Sequence, residues 1–384
     1  MTSAFRTTPN IQMGAGCLAE LGPLARKLGG TRCLVVTDPG IEAAGILARV
    51  TRSLEAAGLA TTAFTGVEPD PRYQIAETCA DALREYGADI VVGVGGGSSL
   101  DIAKVAAICG SGEKRSVREL FGVDLVPGPG LPCVLIPTTA GTGSEVTPIA
   151  ILSDEEAQLK KGIVSEYLFP AAAVLDPELT VGLPAAVTAA TGLDALIHAV
   201  EAFTSVKATS LTDLLAFRAM EIIPHSLRTA CTDGGNIEAR TRMLEGSLLA
   251  GMAFANAGVT AVHAFAYPLG AMFHIPHGVA NSVMLVSVLQ FNLSSDLPKF
   301  ARLADAFAVG EASDPPQVKA ERAVEAVKQL IVDVGVPTRL RDLGVPESAL
   351  ERMAAGAMQV TRLLANNPRS ILEADAVAIY RNAF

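Results

Sequence analysis

The chain has 384 residues, of which 50% are hydrophobic and 18% charged, so it has ample material for buried cores and little tendency to disorder. A chain of this length is typical of two domains. The net charge of −10, with no run of Lys or Arg, disfavours a nucleic-acid partner or an anionic membrane surface and favours a small-molecule ligand.

Short apolar runs rich in β-branched residues alternate with helical patterns through the first half of the chain. Runs 33–37, 89–94 and 133–137 have the composition of buried parallel strands. Between them, 41–57 and 75–86 carry apolar residues at helical spacing, with charges on the opposite face. This alternation predicts an α/β domain with a parallel sheet, and such sheets bind ligands at the carboxyl ends of their strands.

The second half becomes rich in Ala and Leu, with long helical periods. We therefore expect residues 1–183 to form the α/β domain and residues 184–384 to form an all-helical domain. Pro268 and Pro276 predict breaks between helical segments in the second domain.

Two loops that follow predicted strands have residues suited to a phosphate. Gly96, Gly97 and Ser98 lie where a strand gives way to a helix, so backbone N–H groups can approach a phosphate at the positive helix end. Loop 137–147 is dense in hydroxyls and glycines, which can hydrogen-bond phosphate or ribose without adding charge. Neither loop matches G-x-G-x-x-G, and either could be ordinary turn chemistry, but two in one sheet favour a dinucleotide site.

Asp38 directly follows the predicted strand 33–37 and has two possible roles. Its carboxylate could accept hydrogen bonds from ribose hydroxyls, which would repel a 2′-phosphate and favour NAD over NADP. It could equally start the turn Asp38-Pro39-Gly40.

Four residues of the second domain could gather around one divalent ion. Asp194 and His198 are four residues apart, so on a helix they share a face. His263 and His277 lie further along, near the predicted helix breaks. One carboxylate and three imidazoles suit Fe²⁺ or Zn²⁺ rather than Mg²⁺ or Ca²⁺, and an open position would remain for a substrate oxygen. Each histidine alone could be a core or helix-end residue, but the set favours a metal site.

With these loops and this set of possible metal ligands, the chain resembles the iron-containing (group III) alcohol dehydrogenases. The resemblance covers nearly the whole sequence, and its motifs fall in 8–9, 14–16, 66–71, 95–101, 137–147, 160–163, 176–180, 194–198 and 263–277.

The resemblance implies an NAD(P)-binding α/β domain (1–183) and a helical metal-binding, catalytic domain (184–384). It implies hydride transfer between nicotinamide and a small alcohol or aldehyde held at the metal, and a homodimer or larger homo-oligomer. The implied metal ligands are Asp194, His198, His263 and His277, with Fe²⁺ as the ion and Zn²⁺ or another divalent metal as the alternative. The implied cofactor contacts are Asp38, Asp70, Gly96, Gly97, Ser98, Thr138, Thr139, Thr142, Thr147 and Lys160.

Two positions depart from the family pattern. Asp70 stands where relatives commonly carry Asn, and Tyr267 stands where many carry a histidine near the nicotinamide. A tyrosine, with an ordinary pKa near about 10 against about 6.5 for histidine, is a poor proton acceptor at neutral pH. We therefore expect Tyr267 to donate a hydrogen bond near the substrate or cofactor, or to shape the pocket. His274 could take the missing role, although a surface or structural role is the simpler interpretation.

Three alternative functions remain open at the sequence level: a related polyol dehydrogenase, a lyase similar to dehydroquinate synthase, and a non-catalytic assembly or nucleotide-sensing protein. The lyase type of site uses a Glu ligand and a Lys/Arg-rich phosphate pocket, whereas this chain offers Asp194 and apolar neighbours. Those neighbours, Phe254, Val259, Ala261 and Phe265, favour a small, weakly charged substrate.

The chain also lacks signals for export. No run of about 20 uninterrupted apolar residues occurs, the first nine residues have no apolar signal core, and the six cysteines lack C-x-x-C spacing. We expect a cytoplasmic protein with free thiols and no membrane partner.

Overall fold

A computed structural model describes residues 4–112, 114–156 and 159–384. The chain divides into two compact units, an α/β unit from Arg6 to Gly182 and a helical unit from Leu183 to Phe384. The predicted fold class, a parallel α/β domain followed by a helical domain, is confirmed.

The α/β unit begins with a short strand and alternates strands with helices as far as α5. Its strands are β1 (Ile11–Met13), β2 (Arg32–Val36), β3 (Ala60–Phe64), β4 (Ile90–Gly95), β5 (Gly122–Val123), β6 (Cys133–Pro137), β7 (Ile149–Asp154), β8 (Leu159–Val164) and β9 (Ala172–Leu175). Its helices are α1 (Leu21–Lys27), α2 (Pro39–Ala43), α3 (Ile46–Ala56), α4 (Tyr73–Tyr86) and α5 (Gly97–Cys109). The single helical pattern predicted over 41–57 is therefore two helices, separated by Ala44 and Gly45.

Six strands form one sheet in the order β1-β9-β6-β4-β2-β3, and all of its pairs are parallel. Alternate side chains point to opposite faces: Leu34 and Val36 join one buried cluster, Cys33 and Val35 the other. Because both faces are covered, the strands read as continuous apolar runs. The carboxyl ends of β2, β4 and β6 lie side by side, at the point where the strand order reverses direction.

The sequence did not predict a second, smaller sheet. It has the order β5-β8-β7, and β7 and β8 pair antiparallel from Ile149↔Val164 to Asp154↔Leu159. β7 begins with the apolar run 149–152 but ends in Ser153 and Asp154, and β8 carries Lys160 and Lys161 near its start, so only part of this sheet has an apolar pattern.

The helical unit consists of ten α-helices in its described residues. They are α6 (Ala185–Thr204), α7 (Ser210–Thr232), α8 (Ile237–Ala257), α9 (Ala261–Phe273), α10 (His277–Asn292), α11 (Leu297–Ala306), α12 (Pro316–Asp333), α13 (Leu350–Met358), α14 (Thr361–Leu364) and α15 (Glu373–Ala383). α6 packs against α7, α8 and α10, and α9 packs against α10 and α13.

The predicted break at Pro268 is wrong, whereas the one at Pro276 is correct. Pro268 lies inside α9, and the helix continues to Phe273. His274 then ends it in the left-handed conformation (φ 54°), and Pro276 is the residue that precedes α10. His263 and Tyr267 both lie on α9 before Pro268, one turn apart.

Helix α6 is long and apolar enough to cross a membrane by length and composition alone. In the structure, 78% of its most apolar window is buried inside the protein. The apolar composition of α6 is therefore accounted for by packing against its neighbouring helices.

Candidate functional site

Helix α6 presents two of the predicted metal ligands on one face. Asp194 and His198 are 3% and 5% exposed, respectively, so neither side chain is solvated by bulk water. Burying a carboxylate and an imidazole costs free energy unless each has a partner, so their neighbours decide what they can do.

The other two predicted ligands, on α9 and α10, point toward the same place. Asp194 Oδ1 lies 3.8 Å from His263 Nε2 and 3.9 Å from His277 Nε2. One ligand atom from each of these three residues lies within 4.8 Å of the others. His198 Nε2 lies 3.1 Å from His263 Nε2. The structure therefore brings all four predicted ligands together.

The chemistry of this cluster fits a divalent ion. Imidazole nitrogens and a carboxylate oxygen converge here; three of the four side chains are buried and His277 is half-buried, and buried lone pairs need a donor or a cation. Burial by itself raises the pKa of Asp194, but His198, His277, His263 and a hydrogen bond from Asn281 together lower it below its ordinary value. The lowered pKa keeps Asp194 deprotonated, which is the form that binds a metal ion.

Sequence reasoning missed Glu201, a buried carboxylate at the base of this cluster. It lies on α6, seven residues after Asp194 and three after His198, and is 1% exposed. One of its oxygens, Oε2, is hydrogen-bonded to His263 Nδ1. The other, Oε1, accepts from the Thr260 hydroxyl and from the Val262 N–H, each at 2.7 Å. The i, i+4, i+7 spacing of the three α6 residues was the signal that could have revealed it.

Asn281 was missed as well. It is fully buried on α10, one turn after His277, and its Nδ2 donates to Asp194 Oδ1 at 2.8 Å. The same Nδ2 lies 3.1 Å from His277 Nε2. Asn281 thus connects the Asp194 carboxylate to the helix that carries His277.

Tyr267, named as a catalytic candidate, lies on α9 one turn after His263 and is half-buried. Burial raises the pKa of its hydroxyl, the positive charge of Arg362 offsets this in part, and Glu201 and Asp194 add to the rise. The hydroxyl forms no hydrogen bond within the described residues. His274, in contrast, is an exposed residue at the end of α9.

Only some of the predicted apolar neighbours lie against the cluster. The Phe254 ring stacks on His198, with centroids 4.2 Å apart and an interplanar angle of 21°. Phe265 is instead a core residue: it is fully buried, its ring contacts Tyr380, and its carbonyl accepts the Tyr380 hydroxyl. Ala261 is also fully buried, as the first residue of α9, whereas Val259 is half-buried.

In the α/β unit, the predicted cofactor residues lie mainly at the carboxyl ends of β2, β4 and β6. Gly96 precedes α5, and Gly97 and Ser98 are its first two residues. A Cβ at Gly97 would lie 2.8 Å from Thr142 Cγ2, so the loop after β6 closes directly onto the start of α5. This approach requires glycine and leaves the N–H groups of the helix start uncovered by a side chain.

Asp38 has the capping role considered for it and also contacts the first turn of α5. Its Oδ1 accepts from the backbone N–H groups of Gly40 and Ile41, which makes it the N-cap of α2. Its Oδ2 accepts from the Ser99 hydroxyl at 3.0 Å, on the first turn of α5. The carboxylate therefore lies beside the glycine-rich turn, at the edge where a ribose could reach it.

The loop after β6 contains four predicted cofactor contacts. Thr138 and Thr147 are buried, whereas Thr139 and Thr142 are half-buried. The Thr138 N–H donates to the carbonyl of Gly95, and the Thr147 hydroxyl donates to the carbonyl of Ser144. Thr139 and Thr142 are thus the more accessible hydroxyls of this loop.

Asp70 and Lys160 lie together but apart from that loop. Lys160 is on β8 of the small sheet, and its Nζ forms an ion pair with the Asp70 carboxylate. The Asp70 backbone is in the left-handed region, with φ 49°. Each residue therefore already has a charged partner.

A buried lysine, Lys104, donates hydrogen bonds that hold the loop after β6 in place. Lys104 Nζ lies 3.1 Å from Asp101 Oδ1 and donates to the carbonyl oxygens of Ser144 and Ile149. Asp101 in turn accepts from the Ser144 hydroxyl at 2.6 Å. Nearby Glu145 is 2% exposed, and burial raises its pKa to about 7 despite the opposing charge of Lys104.

Comparison with known proteins links this geometry to one family. The model of the iron-containing alcohol dehydrogenases matches residues 8–177, and the model of the C-terminal part of that family matches residues 188–384. Long-chain-alcohol dehydrogenase 1 of Geobacillus thermodenitrificans is 44% identical over 379 residues, which cover 98% of this chain and 95% of that protein. Sulfoacetaldehyde reductase of Bilophila wadsworthia is 37% identical, with both chains fully covered. A crystal structure of 1,3-propanediol oxidoreductase superposes with a TM-score of 0.97, at 38% identity and full coverage of both chains.

Proposed function

Because the chain belongs to the iron-containing alcohol dehydrogenase family, we propose that it transfers a hydride between a nicotinamide cofactor and a small alcohol or aldehyde. The convergence of Asp194, His198, His263 and the half-buried His277 on one point carries the proposal. This donor set is the one expected for a first-row divalent ion, and we propose Fe²⁺, with Zn²⁺ as the alternative.

A divalent ion at this cluster would supply Lewis-acid polarisation of a carbonyl, and nicotinamide would supply or accept the hydride. The residues of the chain hold and orient these groups. Asp194 would contribute negative charge that partly balances the ion, and Asn281 donates a hydrogen bond that orients the Asp194 carboxylate. Phe254, stacked on His198, limits the rotation of that ring.

We propose NAD in preference to NADP as the cofactor. Gly96, Gly97 and Ser98 would hold the pyrophosphate at the start of α5, where the helix dipole favours an anion. Thr139 and Thr142 would add uncharged hydrogen bonds. The Asp38 carboxylate at the neighbouring strand end would accept from ribose hydroxyls and repel a 2′-phosphate.

Asp70, Thr138, Thr147 and Lys160 remain part of the proposed cofactor site in different ways. The buried backbone bonds of Thr138 and Thr147 support a role in shaping the loop. Asp70 and Lys160 would contact a cofactor as an ion pair, in which the Asp70 side chain is 59% exposed.

Tyr267 is proposed to act as a hydrogen-bond donor or to shape the pocket, and not as a proton acceptor. Its raised pKa keeps the hydroxyl protonated at neutral pH. The proton of the reaction would then leave through water or ribose hydroxyls.

The substrate is proposed to be small and weakly charged, with Phe254 as an apolar neighbour. The relatives named above act on alcohols and aldehydes of different size and charge, so family membership alone does not choose among them. A cytoplasmic location is supported by the six cysteines, all of which are free thiols. A dimer or larger homo-oligomer is proposed from family membership alone.

The test is a substrate panel. Purified protein, reconstituted anaerobically with Fe²⁺ or Zn²⁺, is assayed for NADH oxidation with short aldehydes and for NAD⁺ reduction with the matching alcohols and polyols. We expect metal-dependent turnover of at least one aldehyde–alcohol pair. A preference for polyols would identify the polyol dehydrogenase alternative. Metal-loaded protein that turns over no member of the panel would contradict the proposal and favour the lyase or non-catalytic alternatives.

A further inference from the structure

Glu201 stands between the two helices that supply three of the four metal ligands. It belongs to α6, together with Asp194 and His198, but all of its side-chain hydrogen bonds go to the start of α9. The carboxylate has almost no solvent contact to compensate its charge, since the residue is only 1% exposed. The cost of burying its charge is therefore offset by three donors at the start of α9, which are Thr260, Val262 and His263.

One oxygen of Glu201 organises the helix start. The first N–H groups of a helix have no partner within the helix, and Val262 is the second residue of α9. Its N–H and the hydroxyl of Thr260, the residue before the helix, both donate to Oε1. The carboxylate of α6 thus substitutes for the side-chain cap that α9 lacks.

The other oxygen organises a ligand ring. A carboxylate can only accept, so a hydrogen bond to Oε2 requires the proton of a neutral His263 to lie on Nδ1. The lone pair of the imidazole is then on Nε2. This atom faces Asp194 and His198, and it belongs to the same group of ligand atoms as His277.

We propose that Glu201 is a positioning residue that fixes the tautomer and the ring direction of His263, and so sets the affinity and geometry of the metal site. The proposal rests on the metal site of the proposed function. Carboxylate partners of ligating histidines orient the ring and raise its basicity, and their loss typically costs about 10- to 100-fold in metal affinity.

Glu201→Gln tests this directly, because the amide keeps the shape but has only one acceptor oxygen. If that oxygen faces Thr260 and Val262, the NH₂ group faces His263 Nδ1 and forces the proton onto Nε2. If the amide is flipped by 180°, its NH₂ group faces the Val262 N–H. Two donors then face each other, which disturbs the start of α9. Either arrangement removes one interaction that the carboxylate makes.

The affinity of metal-free protein for Zn²⁺ is measured by competition with a chromophoric chelator. We expect Glu201→Gln to bind Zn²⁺ about 10- to 100-fold more weakly than the wild type. Glu351→Gln, the same change at an exposed position of α13 in the same unit, should bind as the wild type does. Unchanged Zn²⁺ affinity in Glu201→Gln would overturn the role of Glu201.

Co²⁺ provides a readout that a purely structural role would not move. At saturating Co²⁺, a ring that has lost its direction changes the ligand set and hence the visible absorption spectrum, whereas a merely less stable protein shows the wild-type spectrum at lower occupancy. We expect a changed spectrum in Glu201→Gln, and a wild-type spectrum would overturn the proposal.

Thr260→Val gives a second test that keeps the carboxylate. It removes only the hydroxyl donor to Oε1, so we expect a smaller, about threefold loss of Zn²⁺ affinity. If Glu201→Gln does not fold, unchanged affinity in Thr260→Val overturns the proposal. Wild-type protein that binds neither ion would overturn the proposed function itself, which separates the two failures.

Discussion

Gly278 and Ala190 bring helices α10 and α6 into backbone contact: a Cβ at Gly278 would lie 2.2 Å from the Ala190 carbonyl oxygen. Gly278 follows His277, and Ala190 lies one turn before Asp194. Only glycine permits this approach, because any side chain would push the two helices apart. The distance between the ligands Asp194 and His277 therefore depends on the absence of a side chain at position 278.

Gly278→Ala should weaken the metal site and the fold together. The added Cβ meets a backbone atom, which cannot rotate away, so α10 must shift and carry His277 with it. We expect a loss of about 1–3 kcal/mol in the free energy of unfolding and about tenfold weaker Zn²⁺ binding. Gly270→Ala is the control, since its nearest neighbour would be an ordinary 3.8 Å away. Wild-type Zn²⁺ affinity in Gly278→Ala would show that this contact does not position His277.

Asp38→Asn should change cofactor preference without unfolding α2. Asn caps a helix about as well as Asp does, so the bonds to Gly40 and Ile41 can persist. Removing the charge removes the repulsion of a 2′-phosphate, and we expect the ratio of kcat/KM for NADPH over NADH to rise about fivefold or more. Glu42→Gln, an exposed acid on the same helix, is the control. An unchanged ratio would mean that Asp38 acts as a cap only.

The buried Glu145 should make the stability of the protein fall as the pH rises. Burial raises its pKa from the ordinary 4.5 to about 7, so between these pH values the folded state binds a proton that the unfolded chain has released. Stability therefore declines across this range, by about 3 kcal/mol in total. Lys104, the nearby cation, already acts in the opposite direction.

Urea unfolding of wild type and Glu145→Gln at several pH values between 4.5 and 8 measures this effect. We expect the difference in unfolding free energy between the two proteins to shift in favour of the variant as the pH rises. Glu119→Gln, at an exposed position of the α/β unit, should follow the wild type. A constant difference between wild type and Glu145→Gln over the whole range would refute the assignment.

Tyr267→Phe separates hydrogen bonding from pocket shape. If the hydroxyl donates to substrate or cofactor, turnover should fall by about 2- to 10-fold, with no change in the pH profile below pH 9. Tyr267→His is the complementary variant, and we expect it to add a pH limb near about 6.5. Steady-state kinetics over pH 5–9 measures both. If Tyr267→Phe left turnover and its pH dependence as in the wild type, the hydrogen-bond role would be wrong.

The sequence was most informative where chemistry and regular spacing coincide. Asp194 and His198 are one helical turn apart in an apolar segment, and the glycine-rich turn directly follows a buried strand, so both could be placed in advance. Glu201 follows the same helical spacing, but its hydrogen-bond partners, Thr260, Val262 and His263, lie about 60 residues away in the sequence. No local motif therefore marked it.

What the sequence could not supply was contact between distant segments. The bond from Asn281 to Asp194 joins residues 87 positions apart, and the backbone contact of Gly278 with Ala190 depends on how two helices cross. The break at Pro268 was predicted wrongly because the helix tolerates the missing N–H and instead ends at His274. The strand β8 mixes polar and apolar residues without alternation, and the apolar run at the start of β7 has no equally apolar partner strand in the sequence.

A metal titration of the metal-free protein tests whether the cluster of Asp194, His198, His263 and His277 is a catalytic metal site. NADH oxidation with a responsive aldehyde is followed as Fe²⁺ or Zn²⁺ is added, alongside Asp194→Ala. We expect activity that rises with added metal and reaches a plateau at one ion per chain, and no such rise in the variant. Metal-free protein that oxidises NADH as fast as the metal-loaded protein, or an Asp194→Ala variant that titrates like the wild type, would contradict this expectation.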